Sequence, residues 1–330
     1  MSRVIVFKNK PFIISTYTVC GPKEAEGNLS GYIDLKVYDD YDNQRSFELA
    51  ERKMLACAIE RAVKKSKLKS DVIGAYIGGD LLNQIISSSF AAREFVFPFL
   101  GVYNACATMA ESMIVGAVLC DGGYLDNVVC ATSSHFSTAE RQYRFPLEQG
   151  TTRPAQSQWT VTGAGANVIS GSEVGKVKIL SAVLGRVVDY GVSDANNMGA
   201  AMAPAAADTL IDFFNNSTAS PSDYDLIITG DLGALGSRIL KDLLLKKGID
   251  IDSNHIDCCE LIYNVDEEEY QGGSGAGCSA VVFNSYILKK LRRKEIRKMI
   301  FIATGALLSP VSVQQGESIP CIAHGVVVES

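Results

Sequence analysis

The chain is 330 residues long, 47% hydrophobic and carries a net charge of −6: enough apolar content to bury a large core, and the wrong sign for general nucleic-acid binding. Its nine cysteines, at positions 20, 57, 106, 120, 130, 258, 259, 278 and 321, are odd in number and form no C-x-x-C pair, which reads as reduced thiols rather than a disulfide framework. Three histidines, His135, His255 and His324, stand without metal-ligand spacing to one another or to a cysteine pair, so no metal site or cofactor is expected.

The N-terminus, Met1 to Lys8, lacks the apolar stretch and cleavage site of a signal peptide. No apolar run approaches the roughly 20 residues that span a bilayer, so membrane contact is expected to be peripheral or through a partner. Phe47 to Ser66 reads as an amphipathic helix, followed by a buried strand, Val72 to Gly78, that turns at Gly79-Asp80-Leu81. A second apolar strand ends near Gly101, and Cys106 stands where a small-residue helix, Ala107 to Leu119, begins. Unpaired N–H groups at a helix start favour thiolate over thiol, which makes Cys106 a candidate nucleophile; the commoner use of such a residue is as a small buried hydrophobe. The strand Asn127 to Ser133 then leads into Ser133-Ser134-His135, Arg141, Arg144 and Arg153 follow closely, and the strand Thr162 to Ile169 closes this half.

The pattern then recurs. A helix from Ala203 to Asn215 precedes the strand Tyr224 to Thr229 and the turn Gly230-Asp231-Leu232. His255 is read as a loop residue after a strand-like Gly248 to Asp252, with Asp257 near enough to orient it. The Gly-rich turn Gln271 to Gly275 opens a helix, Ser279 to Leu291, whose basic end, Lys289 to Lys294, complements the dipole. Strands Met299 to Gly305 and Cys321 to Val328 complete the chain. Gly79 and Gly230 lie 151 positions apart, and both Cys106 to Cys278 and Ala131 to Ala303 are separated by 172. A duplicated α/β chain is therefore expected, with halves 1–172 and 173–330 and a pocket where strand C-terminal ends of both halves meet. Cys106, Ser133, Ser134, His135, Gly273, Ser274, Cys321 and His324 stand at such ends. The acidic runs at 39–42 and 266–269 read as solvated loops, and no loop has the regular oxygen-ligand spacing of a dedicated calcium site.

Two repeated halves, a cysteine at a strand–helix elbow, a matching Gly-rich turn and the C-terminal Cys321-Ile322-Ala323-His324-Gly325 resemble the thiolase fold of thiolases and ketoacyl synthases. More specifically, Gly79 to Gln84, Ala131 to His135, Ala139 to Pro146, Asn197 to Pro204 and Ser318 to His324 resemble the stage V sporulation protein AD family of spore-forming bacteria. The resemblance implies an α/β, thiolase-like architecture layered αβαβα, paired into a homodimer. Thiolase-fold enzymes set a histidine, with a second histidine, asparagine or cysteine, beside the nucleophile. The turn Gln271 to Gly275 carries neither histidine nor asparagine, so carbon–carbon condensation is not expected. His255 and Cys321 remain as substitute partners for Cys106 in an active acyltransferase, and His324 falls where thiolases keep glycines.

The sporulation family implies a different use. Its members are understood to bind dipicolinic acid (pyridine-2,6-dicarboxylate), free or with calcium, during uptake into the developing spore and release at germination, with membrane proteins of the same operon as partners. On that reading the chain is a ligand-binding protein rather than an enzyme, peripheral to the spore's inner membrane, and any calcium arrives with the ligand. A flat dianion asks for an aromatic-sized slot and for guanidinium or N–H partners, which Arg141, Arg144 and Arg153 are placed to supply, with at least one of the three expected instead to tie down the loop before Trp159.

Overall fold

Strand residues of this chain alternate between two apolar destinations, and that alternation sets the architecture. The structure, a computed structural model, describes residues 2–143, 153–263 and 270–330. In chain order its first part contains β1 (Val4–Val6), β2 (Phe12–Cys20), α1 (Pro22–Glu26), β3 (Leu35–Lys36), α2 (Phe47–Ser66), β4 (Ala75–Gly79), α3 (Ile86–Ala92), β5 (Phe99–Gly101), α4 (Thr108–Asp121), β6 (Asn127–Ser134), α5 (Phe136–Tyr143), β7 (Trp159–Thr160) and β8 (Gly163–Ser170). There follow β9 (Val177–Val183), α6 (Met198–Asn216), β10 (Leu226–Gly230), α7 (Gly233–Leu245), β11 (His255–Asp257), α8 (Cys258–Ile262), β12 (Gly273–Ser274), α9 (Ala276–Val282), α10 (Leu288–Arg292), β13 (Lys298–Ala306), α11 (Pro310–Gln314) and β14 (Cys321–Glu329).

From the middle outward one side of the main sheet runs β2-β8-β6-β4-β5 and the other β9-β14-β13-β10-β11. The pairing senses also repeat: β4 is parallel to β5 and β6, as β10 is to β11 and β13, while β8 and β14 are antiparallel to both their neighbours. A short antiparallel contact, Phe12 with Lys178 and Ile13 with Val177, joins the two sides.

Val129, Ala131, Ala164 and Val168 point to α2, whereas Val128, Cys130 and Ile169 join the core around α4. Across the molecule Ile300 and Ile302 face α6 and α7, and Met299, Phe301 and Ala303 face the same central core as α4, α9 and α10. Helices α4 and α9 therefore form a middle layer between two β layers, with α2 and α3 outside one and α6 and α7 outside the other. This is the αβαβα order expected from the thiolase resemblance.

Helix α2 spans its predicted range: the Ser46 hydroxyl accepts from the Leu49 N–H at 3.3 Å, and Lys67 ends the helix in a left-handed conformation. Other elements differ. Helix α6 starts five residues before its predicted Ala203 and carries Pro204 in its second turn, where the Ala200 carbonyl is left without its N–H partner in the helix. The helix opened by the Gly-rich turn starts at Ala276 and passes through a π turn, Phe283–Ile287, before Leu288. Gly248 to Asp252 forms no strand; the strand in that region is β11, which carries His255. Strands β1, β2 and β9 had no counterpart in the sequence reading. No helix among the described residues is long and apolar enough to cross a membrane.

The middle layer lies against β13 without room for a side chain at Gly305, where a Cβ would overlap the Asn104 carbonyl oxygen and approach the Ala107 nitrogen to 3.0 Å. Gly305→Ala should therefore cost about 1–3 kcal/mol or more in denaturant unfolding. Gly31→Ala, where a Cβ meets nothing within 4 Å, should stay within about 0.5 kcal/mol. Equal stabilities for the two variants would contradict the packing described here.

Candidate functional site

Cys106 occupies a single 3-10 turn, Ala105–Ala107, that connects the end of β5 to α4. Ala105 has φ +50, a left-handed conformation that residues with a side chain rarely adopt. The turn is held by Thr108, whose hydroxyl accepts from the Asn104 N–H at 3.1 Å and donates to the Ala105 carbonyl at 2.6 Å. Cys106 opens into a cavity in which about 40 Å³ is accessible to the centre of a water molecule. Leu81, Tyr103, Tyr143, Met198, Met202 and Leu308 supply its apolar wall, and Cys106, Thr160, Asp231 and Ser274 its polar groups. Tyr103 and Tyr143 meet through their hydroxyls at 3.2 Å.

The sequence reading gave Asp231 no role. It follows the last residue of β10 with φ +70, and its fully buried carboxylate is held from several sides. Oδ2 accepts from the Gly275 N–H at 2.7 Å and from the Ser274 hydroxyl at 3.2 Å, and the Cys106 thiol hydrogen-bonds to the same carboxyl. The Gln158 amide donates to the Asp231 carbonyl at 3.0 Å and to the Gly273 carbonyl at 3.1 Å. Burial raises the Asp231 pKa to about 7 against the opposing pull of these donors.

Burial, and after it the charge of Asp231, hold the Cys106 thiol well above its ordinary range. This overturns the expected thiolate. The Gly275 N–H pulls the other way, but the desolvation of a buried anion outweighs it.

Of the other residues expected at the pocket, Ser274 is the only described one that lines it. Gly273 packs against Ile262 and Cys278 instead. The Ser133 hydroxyl donates to Glu51 at 2.9 Å, and the Ser134 hydroxyl donates to the Val161 carbonyl at 2.7 Å while accepting from the Gly277 N–H at 3.0 Å. His135 is buried between the Asp40 carbonyl (2.8 Å) and the Ser137 N–H (3.1 Å), with its ring against Phe47. Arg141 pairs with Glu48 at 3.1 Å on the outer surface, and Arg144 lies outside the described residues. Arg153 pairs with Glu140 at 3.1 Å and stacks on Trp159 and Phe136, a structural use.

The two substitute partners for Cys106 are also placed elsewhere. The Thr229 hydroxyl donates to Asp257 at 2.6 Å, so the ring N–H of His255 donates to that hydroxyl at 2.9 Å, and burial lowers the His255 pKa to about 3. Asp257 thus reaches His255 only through Thr229. Cys321 is buried in the core of α6 and β13, and burial raises its pKa to about 12. His324 lies on β14, where Nδ1 accepts from the Gly185 N–H at 3.0 Å and Nε2 meets the Asn104 amide at 3.2 Å; burial lowers its pKa to about 4. It supports the elbow through Asn104 rather than lining the cavity.

The profile of the stage V sporulation protein AD family matches residues 1–329. The Bacillus subtilis (strain 168) stage V sporulation protein AD is 46% identical over 325 residues, which cover 98% of this chain and 96% of that relative. The chain belongs to the stage V sporulation protein AD family. Among solved structures, 3-oxoacyl-(acyl-carrier-protein) synthase III from Aquifex aeolicus VF5 aligns with a TM-score of 0.60 at 13% identity, covering 97% of this chain and 100% of that one. A variant of OleA from Xanthomonas campestris aligns with a TM-score of 0.61 at 13% identity, covering 99% and 98%. These two establish a thiolase-like fold.

Two measurements probe the Cys106–Asp231 pair. Because the folded pKa of Asp231 lies near 7, above its ordinary 3.8, the folded state holds this proton where the unfolded chain has lost it. The stabilisation is complete below about pH 4 and disappears as pH rises through 7, at about 1.4 kcal/mol per unit of separation. Asp231→Asn should therefore gain stability relative to wild type from pH 5 to pH 8; a constant difference would refute the assignment. In a Cys57→Ser background, Cys106 should alkylate slowly at pH 7 and faster once Asp231→Asn removes the neighbouring charge. A rate that already reaches its plateau below pH 8 would contradict the raised thiol.

Proposed function

We propose that this chain binds dipicolinic acid, as the free dicarboxylate or its calcium chelate, and serves its uptake into the developing spore and its release at germination. The observation that carries the reading is a narrow, partly open, tyrosine-walled slot with small neutral donors at one end, in a member of a sporulation family. The site is suited to a flat ring more than to a catalytic cycle. Widening the slot for a pyridine ring falls to Met198 and Met202, whose unbranched side chains repack at low cost.

The charge of the ligand is the demanding part. Among the described lining residues none is a lysine, arginine or histidine, and the ionisable groups are Cys106, Asp231, Tyr103 and Tyr143. The carboxylates are then met by hydroxyl and thiol donors and by a protonated Asp231, and calcium carried on the ligand neutralises what remains. This favours the chelate over the free dianion. The reading itself requires no cofactor, and it places the chain peripheral to the inner membrane, with the membrane proteins of its operon as partners.

An active acyltransferase using Cys106 is the second reading, favoured by the elbow geometry and by the synthase fold. The raised thiol and the absence of histidine from the described cavity lining argue against turnover.

Thermal unfolding with millimolar dipicolinic acid tests the first reading. A ligand that binds only the folded state adds about 2.7 kcal/mol at 100 times Kd. The shift should be larger with calcium, grow as pH falls through 7, vanish in Cys106→Trp, and persist in Arg141→Ala. A midpoint unmoved with and without calcium would reject it, and sustained turnover of acyl-CoA would put the acyltransferase in its place.

We further propose a homodimer formed through β5, an edge strand whose backbone is unpaired on one side. Val96 and Leu100, 82% and 44% exposed, and the exposed rings of Phe90 and Tyr103 surround that edge, an arrangement a second copy of the strand would cover. Leu100→Lys should shift the chain from dimer to monomer by light scattering. A wild-type chain that is monomeric at tens of micromolar would exclude this pairing.

A further inference from the structure

The turn after β10, the start of α8 and the first turn of α9 bring three ligating side chains together. Asp231, Cys259 and Cys278 are all fully buried, and a carboxylate oxygen and two sulfurs lie within 4.8 Å of one another. The Cys259 thiol stands 3.8 Å from Asp231 Oδ1. Because Oδ2 is committed to Gly275 and Ser274, Oδ1 is the oxygen presented to the sulfurs.

These dimensions suit a particular ion. Zinc–sulfur bonds of about 2.3 Å and zinc–oxygen bonds of about 2.0–2.2 Å in a tetrahedron separate neighbouring ligand atoms by roughly 3.5–3.8 Å. The observed Oδ1–Sγ separation already matches, and the remaining pairs need to close by an ångström at most. Two further features mark the place as more than packing. Asp231 keeps its left-handed φ of +70 to hold the carboxylate here. Gln158 has its amide nitrogen 3.5 Å from Cys259 Sγ, and its side-chain oxygen is buried without a partner.

We propose that Asp231, Cys259 and Cys278 form a binding site for a thiophilic divalent cation of the zinc class, with the fourth coordination position left to a water or another small ligand. On binding, each ligating thiol, and Asp231 where it is protonated, releases its proton to solvent as its bond to hydrogen is replaced by a bond to the metal, so affinity rises with pH. The Ser274 and Gly275 donors hold the carboxylate in orientation, the usual role of groups behind a metal ligand.

The full-length reduced chain, stripped with a chelator and desalted, is titrated with Co²⁺ and then Zn²⁺ with no dicarboxylate present, so the outcome is independent of the dipicolinic acid reading. One metal per chain should survive a second desalting, and Co²⁺ should produce a thiolate-to-cobalt charge-transfer absorption that Zn²⁺ abolishes. Cys259→Ser and Cys278→Ser should each remove that absorption and Cys57→Ser should keep it. Asp231→Asn should weaken zinc binding by about tenfold or more. Well under one zinc per chain retained by the wild type would overturn the proposal whether or not the serine variants fold. So would cobalt absorption unchanged in both serine variants, or a Cys259–Cys278 disulfide in the freshly purified protein, seen as an intact mass two hydrogens short.

Discussion

Everything in the site depends on how closely the middle helical layer approaches the two sheets. At Gly277, in the first turn of α9, a Cβ would overlap the carbonyl of Gly163 on β8, so a helix from the second half rests directly on a strand of the first. The reverse contact occurs at Gly305, where β13 meets the Cys106 elbow. Backbone against backbone leaves little freedom to slide, and interiors packed at crystal density transmit any displacement. The Cys106 thiol from one half and the Asp231 carboxyl from the other are thus brought together by contacts neither half makes alone.

Given that placement, burial governs the electrostatics. A helix start is worth about 0.3–1 kcal/mol to a nearby anion, and about 2 kcal/mol in favourable partly buried geometries. Full burial shifts a titratable group by up to 3–5 units, at about 1.4 kcal/mol each. The larger effect wins at Cys106, which is partly buried beside an acid, and the same balance keeps His324 and His255 neutral. A thiolase-like elbow has been retained here in surroundings that protonate its nucleophile.

Much of the architecture was legible in the sequence because its periodicities are strong. Helix α2, the strands ending in Gly79 and Gly230, and the closing strands β8 and β14 all combine apolar runs with Gly punctuation. Strand β2 was missed because Ser15, Thr16 and Thr18 interrupt its apolar residues, and they are buried by the sheet rather than exposed by it. Within the site, Cys106 and Ser274 could be found from strand-end position. Ser133, Ser134 and His135 have the same position but are turned into hydrogen bonds with Glu51, Val161 and Asp40, which no strand-end rule anticipates. Asp231 carried a usable signal, since it follows a buried strand in the duplicated Gly-Asp turn. Its sulfur neighbours carried none: 28 positions separate it from Cys259 and 19 separate Cys259 from Cys278, spacings unlike any compact metal motif.

The duplication also explains why the described residues contain one such site. Asp80 and Asp231 occupy equivalent turns, each after the glycine that ends a central strand. Asp80 accepts from the backbone N–H groups of Leu82 at 2.9 Å and Ser88 at 2.7 Å, so its carboxylate is spent on the start of its own α3 region. Asp231 takes φ +70 and turns toward the Gly-rich segment and the thiols, while the N–H groups of Leu232 and Gly233, which follow it, donate to Asp257 at 3.2 Å each. One backbone rotation thus separates a capping acid from a site acid. The second half could adopt it because Asp257 satisfied the N–H groups that Asp231 gave up, leaving the carboxylate free for the Cys106 elbow of the other half.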